Sequence, residues 1–162
     1  MKYNIKIMSK DEAIDFNELY HGNDKYLMLS ISDKSENLRF LHNNNNVIIH
    51  QFFFADIEYE VEEIKEFGLM TNQQAIELKN LIDKYTQDGI TNIIVHCHAG
   101  ISRSGAVGCL IAKYLNGDDT YLWKTEYIYP NRYIYKLMSN AFNIEYSDKD
   151  FEYKQALIHN GI

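Results

Sequence analysis

The chain has 162 residues, 46% hydrophobic and 24% charged, ordinary globular values at the ~100 to 200 residues of one domain, which excludes a disordered, collagen-like or mucin-like polypeptide and leaves one domain over 1–162 as the expectation. Its 16 basic and 23 acidic side chains give a net charge of −7, the wrong sign for neutralising nucleic-acid or lipid phosphates, so neither nucleic acid nor membrane is an expected partner. No apolar run reaches the ~18 to 20 residues of a membrane span, the alternating start Met1-Lys2-Tyr3-Asn4-Ile5-Lys6 has no signal-peptide core, and two cysteines, Cys97 and Cys109, make no disulfide framework; a cytoplasmic location is expected.

Tyr3 to Met8 alternates as a short strand. Ser9 then offers an N-cap for a helix from Lys10 to Tyr20 with Ala13, Phe16, Leu19 and Tyr20 as its apolar stripe. Lys25 to Ser32 and Val47 to Phe54 have the length and aliphatic-aromatic content of buried strands, and the run Asn43 to Asn46 between them reads as a surface turn, a product of composition rather than function. Ala55 to Met70 shows no helical period and carries Asp56, Glu58, Glu60, Glu62, Glu63 and Glu66 against Lys65, a long acidic loop. Thr71 caps a helix to Tyr85, packed through Ala75, Leu78, Leu81, Ile82 and Tyr85 and ended by Asp88-Gly89; Thr91 to Cys97 is another buried strand. A helix from Ser102 or Arg103 to Leu115 follows, with Cys109 on its packed face as a small core hydrophobe. Further helices are predicted over Asp118 to Tyr127, Asn131 to Phe142 and Ser147 to His159. Strands alternating with helices and then a helical C-terminal third predict an α/β fold, a central mostly parallel sheet flanked by helices.

The chemistry concentrates where the strand ending in Cys97 meets the helix opened by Arg103. Five residues separate them: His98, Ala99, Gly100, Ile101 and Ser102. Such a loop can turn successive N–H groups inward while the helix N-terminus adds positive potential, a cradle for a phosphate dianion. Gly100 lets the backbone turn, and the planar fork of Arg103 can grip two phosphoryl oxygens. The same field favours a thiolate at Cys97. His96 and His98 flank the cysteine, but alternate residues of an extended strand face opposite sides, so the three do not converge on a metal; no metal site and no cofactor are expected.

HCHAGISRS, from His96 to Ser104, resembles the HCxxGxxRS signature of cysteine-dependent protein tyrosine phosphatases, most of all their compact dual-specificity-like branch. More loosely, the resemblance extends from Lys25 to Phe142, and Tyr129-Pro130-Asn131 is similar to a motif that follows the signature in small bacterial members. It implies a phosphatase-like fold and metal-independent hydrolysis through a phosphocysteine. Cys97 is then the nucleophile, Arg103 the transition-state clamp, Ser104 the hydroxyl that helps the sulfur leave, and His96 a buried organiser of the loop. The phosphate sits against residues 98–103. The general acid implied is a carboxyl on a facing loop: Asp56, after the strand expected to neighbour the Cys97 strand, with Glu58 and Glu60 as alternatives because Asp56 lies further upstream than usual. Asn131 reads as a helix N-cap, with a contact to the catalytic water as second reading.

The substrate class implied is a phosphorylated protein or peptide, on tyrosine alone or on serine and threonine too. The alternatives are a phosphatase of a non-protein phosphomonoester and a phosphate-binding pseudophosphatase. Phosphoinositide enzymes place lysines in the loop, where this one reads His98-Ala99-Gly100-Ile101-Ser102; a pseudophosphatase would usually lose Cys97 or Arg103. Oligomeric state is left open.

Overall fold

A computed structural model describes residues 2–33, 41–44, 46–58 and 68–160, with the backbone alone at 159–160. In chain order the elements are β1 (Asn4–Met8), α1 (Lys10–Leu19), β2 (Tyr26–Ser32), β3 (Val47–Phe53), α2 (Asn72–Gln87), β4 (Asn92–His96), α3 (Arg103–Asn116), α4 (Thr120–Thr125), α5 (Arg132–Ala141) and α6 (Asp148–Asn160). The four strands form one sheet in the order β1-β4-β2-β3, every pair parallel.

The two central strands are the ones without polar alternation. All seven residues of β2 are buried, as are the last four of β4, the pattern of parallel strands covered on both faces. Leu27, Leu29 and Ile31 of β2 join Ile93 and Val95 of β4 in the larger core with α2, α3 and α5, while Tyr26, Met28 and Ile94 face the smaller core under α1. The seven-residue β2 takes the place between β4 and β3. The strand before Asp56 is therefore an edge strand and not the neighbour of the Cys97 strand, contrary to the sequence expectation.

One local reading is also corrected. Ser9 caps α1 as predicted and also closes a capping box with Glu12, but Leu19 is 73% exposed, because positions 13, 16, 17 and 20 make the inward face. Asn17 takes the buried place and bonds the N–H and carbonyl of His42. The asparagine run, at its described positions, does specific work: Asn44 Oδ1 accepts from the N–H groups of Asn46 and Val47, both at 2.8 Å, and Asn43 Oδ1 from that of Ile49 at 2.6 Å. These bonds shape the turn into β3. Of the acidic stretch, 55–58 and 68–70 are described and carry no helix or strand; 59–67, with Glu60 among them, lie outside the described residues.

Helix α3 is the central rod, buried without a break from Arg103 to Ala112. It lies so close to β1 that a Cβ at Gly108 would stand 2.7 Å from Ile7 Cγ1. Helices α4, α5 and α6 are tied by buried Asp119, whose carboxylate accepts from Trp123 Nε1 and Tyr135 OH at 2.9 Å and from Lys154 Nζ at 2.7 Å. Three donors around one carboxylate satisfy a charge that would otherwise be costly to bury. Helix α4 stops at Thr125, short of the predicted Tyr127, because the chain from 126 to 131 returns to the loop between β4 and α3.

Candidate active site

That loop begins where β4 ends. Cys97 is 3% exposed; its Sγ receives the Gly100 N–H at 3.3 Å and stands 3.1 Å from Ser104 Oγ. Gly100 makes the turn at φ +75°, and a Cβ there would lie 2.6 Å from Ser9 N and 2.7 Å from Met8 C. Both the left-handed conformation and the close backbone approach require glycine. The corner between β1 and α1 thus backs the loop, and the Lys10 N–H donates to the His98 carbonyl at 3.0 Å. His96 is buried, with Nδ1 at 3.2 Å from the Cys97 carbonyl, a contact that needs the proton on Nδ1.

Arg103 opens α3 and is 7% exposed. Its Nη1 donates to Asp33 Oδ1 at 2.9 Å and to the Phe54 carbonyl at 3.1 Å. These bonds leave the edge made by Nε and Nη2 as an unused fork among the described residues. Ser102 stands at the N-cap of α3 but makes no capping bond, because its Oγ donates to Asp56 Oδ1 at 2.7 Å. The first-turn N–H groups of α3 are thereby left without a cap from the Ser102 side chain.

Asp56 reaches this place from the end of β3, with Phe54 N–H bonded to the Ser32 carbonyl. Its Oδ1 takes a second donor, Asn131 Nδ2 at 2.8 Å, which also reaches the Ile57 carbonyl at 3.2 Å. Asn131 is wholly buried: its Oδ1 caps α5 through the Ile134 N–H at 3.0 Å, and its own N–H donates to the Ser102 carbonyl at 3.0 Å. The N-cap reading holds, and the amide's other end holds the carboxylate. Asp56 is exposed as a residue, and its Oδ2 bears no hydrogen bond among the described residues. Glu58 is exposed and joins none of these contacts.

The structure brings Cys97, Gly100, Ser102, Arg103, Ser104 and Asp56 into one constellation. His98 and Ala99 line its exposed rim and Ile101 is partly buried. Cys109 is buried in the core, where burial first and the Asp119 charge second push its thiol well above the ordinary cysteine range. Among the described residues no group of three His, Cys, Asp or Glu is placed to hold a metal ion. Asp33 is the functional candidate that sequence reasoning missed. It directly follows β2, far upstream of Arg103, and no local pattern marks it.

No family model matches the chain, and no curated protein matches its sequence. Its fold is nonetheless shared with solved structures. DUSP15 is 18% identical, over 97% of this chain and 89% of that one, with a TM-score of 0.57. PTPMT1 in complex with PI(5)P is 14% identical, over 93% of this chain and 94% of that one, with a TM-score of 0.54. The fold is that of the compact protein tyrosine and dual-specificity phosphatases.

Proposed function

We propose that the chain hydrolyses phosphate monoesters, first of all those of phosphorylated proteins, through a phosphocysteine on Cys97. The observation that carries this reading is the meeting of one buried sulfur, one arginine fork and one tethered carboxyl around a single loop. The substrate phosphoryl group sits on the N–H groups of residues 98–103, its oxygens gripped by the Nε and Nη2 edge of Arg103. The Cys97 thiolate attacks phosphorus and the ester P–O bond breaks, the leaving oxygen taking a proton from Asp56. Water then attacks phosphorus, Asp56 takes its proton back, and the S–P bond breaks with the Ser104 hydroxyl donating to the departing sulfur.

Asn131 and Ser102 act as positioning residues in this scheme. Both donate to Oδ1, so the transferable proton belongs on the unbonded Oδ2. Asp33 and the Phe54 carbonyl orient the guanidinium. The loop offers no lysine, and no arginine besides Arg103, to meet further phosphates, which favours a lone phosphoryl group over a polyphosphorylated headgroup. Both Cys97 and Arg103 are in place, which favours catalysis over binding alone.

The test is hydrolysis of phosphotyrosine peptides by wild type and Cys97→Ser in the presence of EDTA. Wild type should turn over with chelator, and Cys97→Ser should lose at least ~10³ in kcat while still binding phosphopeptide. Turnover by Cys97→Ser, or wild-type activity abolished by EDTA and restored by a divalent metal, sinks the mechanism.

A further inference from the structure

Arg103 is buried, but the carboxylate paired with it is not. Asp33 Oδ1 accepts from Arg103 Nη1 at 2.9 Å, and the Asp33 side chain is 55% exposed. Its Oδ2 bears no hydrogen bond among the described residues. Holding the arginine takes one oxygen. The other is left in solvent where the buried guanidinium meets the surface.

The charges here do not balance once a phosphoryl group is bound. A dianion on the Nε and Nη2 edge takes up the charge of Arg103, and the loop from 98 to 102 carries no lysine and no second arginine. Asp33 keeps its own charge. With a phosphoryl oxygen at hydrogen-bond distance from Nη2, the Asp33 carboxylate lies roughly 6 to 9 Å from phosphorus, within the Debye length of ~8 to 10 Å. A second anionic group on the substrate is repelled from this side of the site, and a cation is drawn to it.

We propose that Asp33 selects phosphorylated segments carrying lysine or arginine next to the phosphorylated residue, offering Oδ2 to that side chain while Oδ1 holds Arg103. This rests on the phosphatase reading and names the class of peptide that the same site prefers. With one oxygen engaged, the carboxylate meets the incoming cation end-on, a contact that lysine makes as readily as arginine. The pair is open to solvent, so its expected contribution is about two- to fivefold in kcat/KM at low salt.

The experiment compares two phosphotyrosine peptides on the full chain, one flanked by lysine and one by glutamate, at low salt and at ~1 M salt, where the Debye length falls to ~3 Å. Wild type should favour the lysine peptide in kcat/KM, and the preference should fade at high salt. Asp33→Asn keeps an oxygen for Arg103 but no charge, and should narrow the low-salt ratio about two- to fivefold. Both peptides use the same cradle, so any damage to it cancels in that ratio. Glu18→Gln removes a charge from α1 eight residues past Lys10, whose N–H bonds the loop; that is ~12 Å of helix, and the ratio should not change. No lysine preference in wild type, a preference indifferent to salt, an unaltered ratio in Asp33→Asn, or an equal change in Glu18→Gln overturns the role of Asp33 alone. A wild-type chain that turns over neither peptide overturns the phosphatase reading and the selection with it.

Discussion

Asn131→Ser separates two jobs held by one buried amide. Serine keeps an oxygen that can cap the Ile134 N–H, so α5 retains its start. It loses the donor that reaches Asp56 Oδ1 at 2.8 Å and the Ile57 carbonyl at 3.2 Å. A hydrogen bond to a charged partner is worth about 1.5 to 3 kcal/mol. Asp56 is exposed and keeps Ser102 at 2.7 Å, so the stability loss should fall at the low end, about 1.5 kcal/mol. The larger effect is on rate. A general acid supplies ~10² to 10⁴, and a carboxyl held by one donor instead of two visits more rotamers, so about a tenfold loss in kcat is expected for poor leaving groups. Activated aryl phosphates need no proton and should lose little. The assay is kcat across a series of phosphate esters of rising leaving-group pKa, with urea unfolding beside it. In an Asp56→Asn background, Asn131→Ser should cost nothing further. Equal losses across the series, or additivity with Asp56→Asn, refute the positioning role.

Gly100→Ala forces a left-handed alanine, about 1 to 3 kcal/mol by itself, and drives its Cβ onto the Met8–Ser9 backbone; lower urea stability and weaker orthovanadate inhibition are expected, and wild-type values for both contradict the close packing. Asp33→Ala frees Arg103 Nη1 from a half-exposed ion pair, worth about 0.2 to 1 kcal/mol at such exposure. KM should rise by up to about fivefold at little cost in kcat, and a collapse of kcat would mean that Asp33 belongs to the chemistry. The Asp119 knot predicts alkaline sensitivity. Burial, then Asp119, pushes the Tyr135 phenol above its ordinary value. Burial pulls the Lys154 ammonium down, but the bonds and charges of Asp119 and Asp150 outweigh it and leave the proton held more tightly than usual. Both folded values exceed the unfolded ~10 and ~10.4, so their stabilisation is complete below about pH 10 and is lost as pH climbs above it. The melting temperature of Tyr135→Phe should therefore fall less steeply than that of wild type from about pH 9.5 to 11, and identical slopes contradict the coupling.

Much of the site is readable along the chain because its parts are neighbours in sequence. Cys97, Gly100, Arg103 and Ser104 occupy one strand-loop-helix joint, where spacing alone places sulfur, turn and guanidinium together. Asp56 is readable only through that joint, and its sequence argument placed the preceding strand beside the Cys97 strand, where β2 in fact lies. Asn131 is legible as a cap, since Pro130 precedes it and a helix follows. That its other end grips Asp56 depends on where the returning chain is delivered, which the Tyr129-Pro130-Asn131 motif does not state.

The sequence by itself determined the order of strands and helices, the buried character of β2 and β4, and the strand-loop-helix joint from Cys97 to Arg103, because each follows from side-chain pattern within a dozen residues. Only the tertiary structure decided that β2 stands between β4 and β3, that α4 stops early so that residues 126–131 can bond the loop, and that Asp33 meets Arg103 while Asp56 meets Ser102 and Asn131. The physical reason is the range of the forces involved. Local periodicity reports which residues must leave water, whereas the pairing of polar groups brought together from distant strands and loops depends on where the packed sheet and helices deliver them.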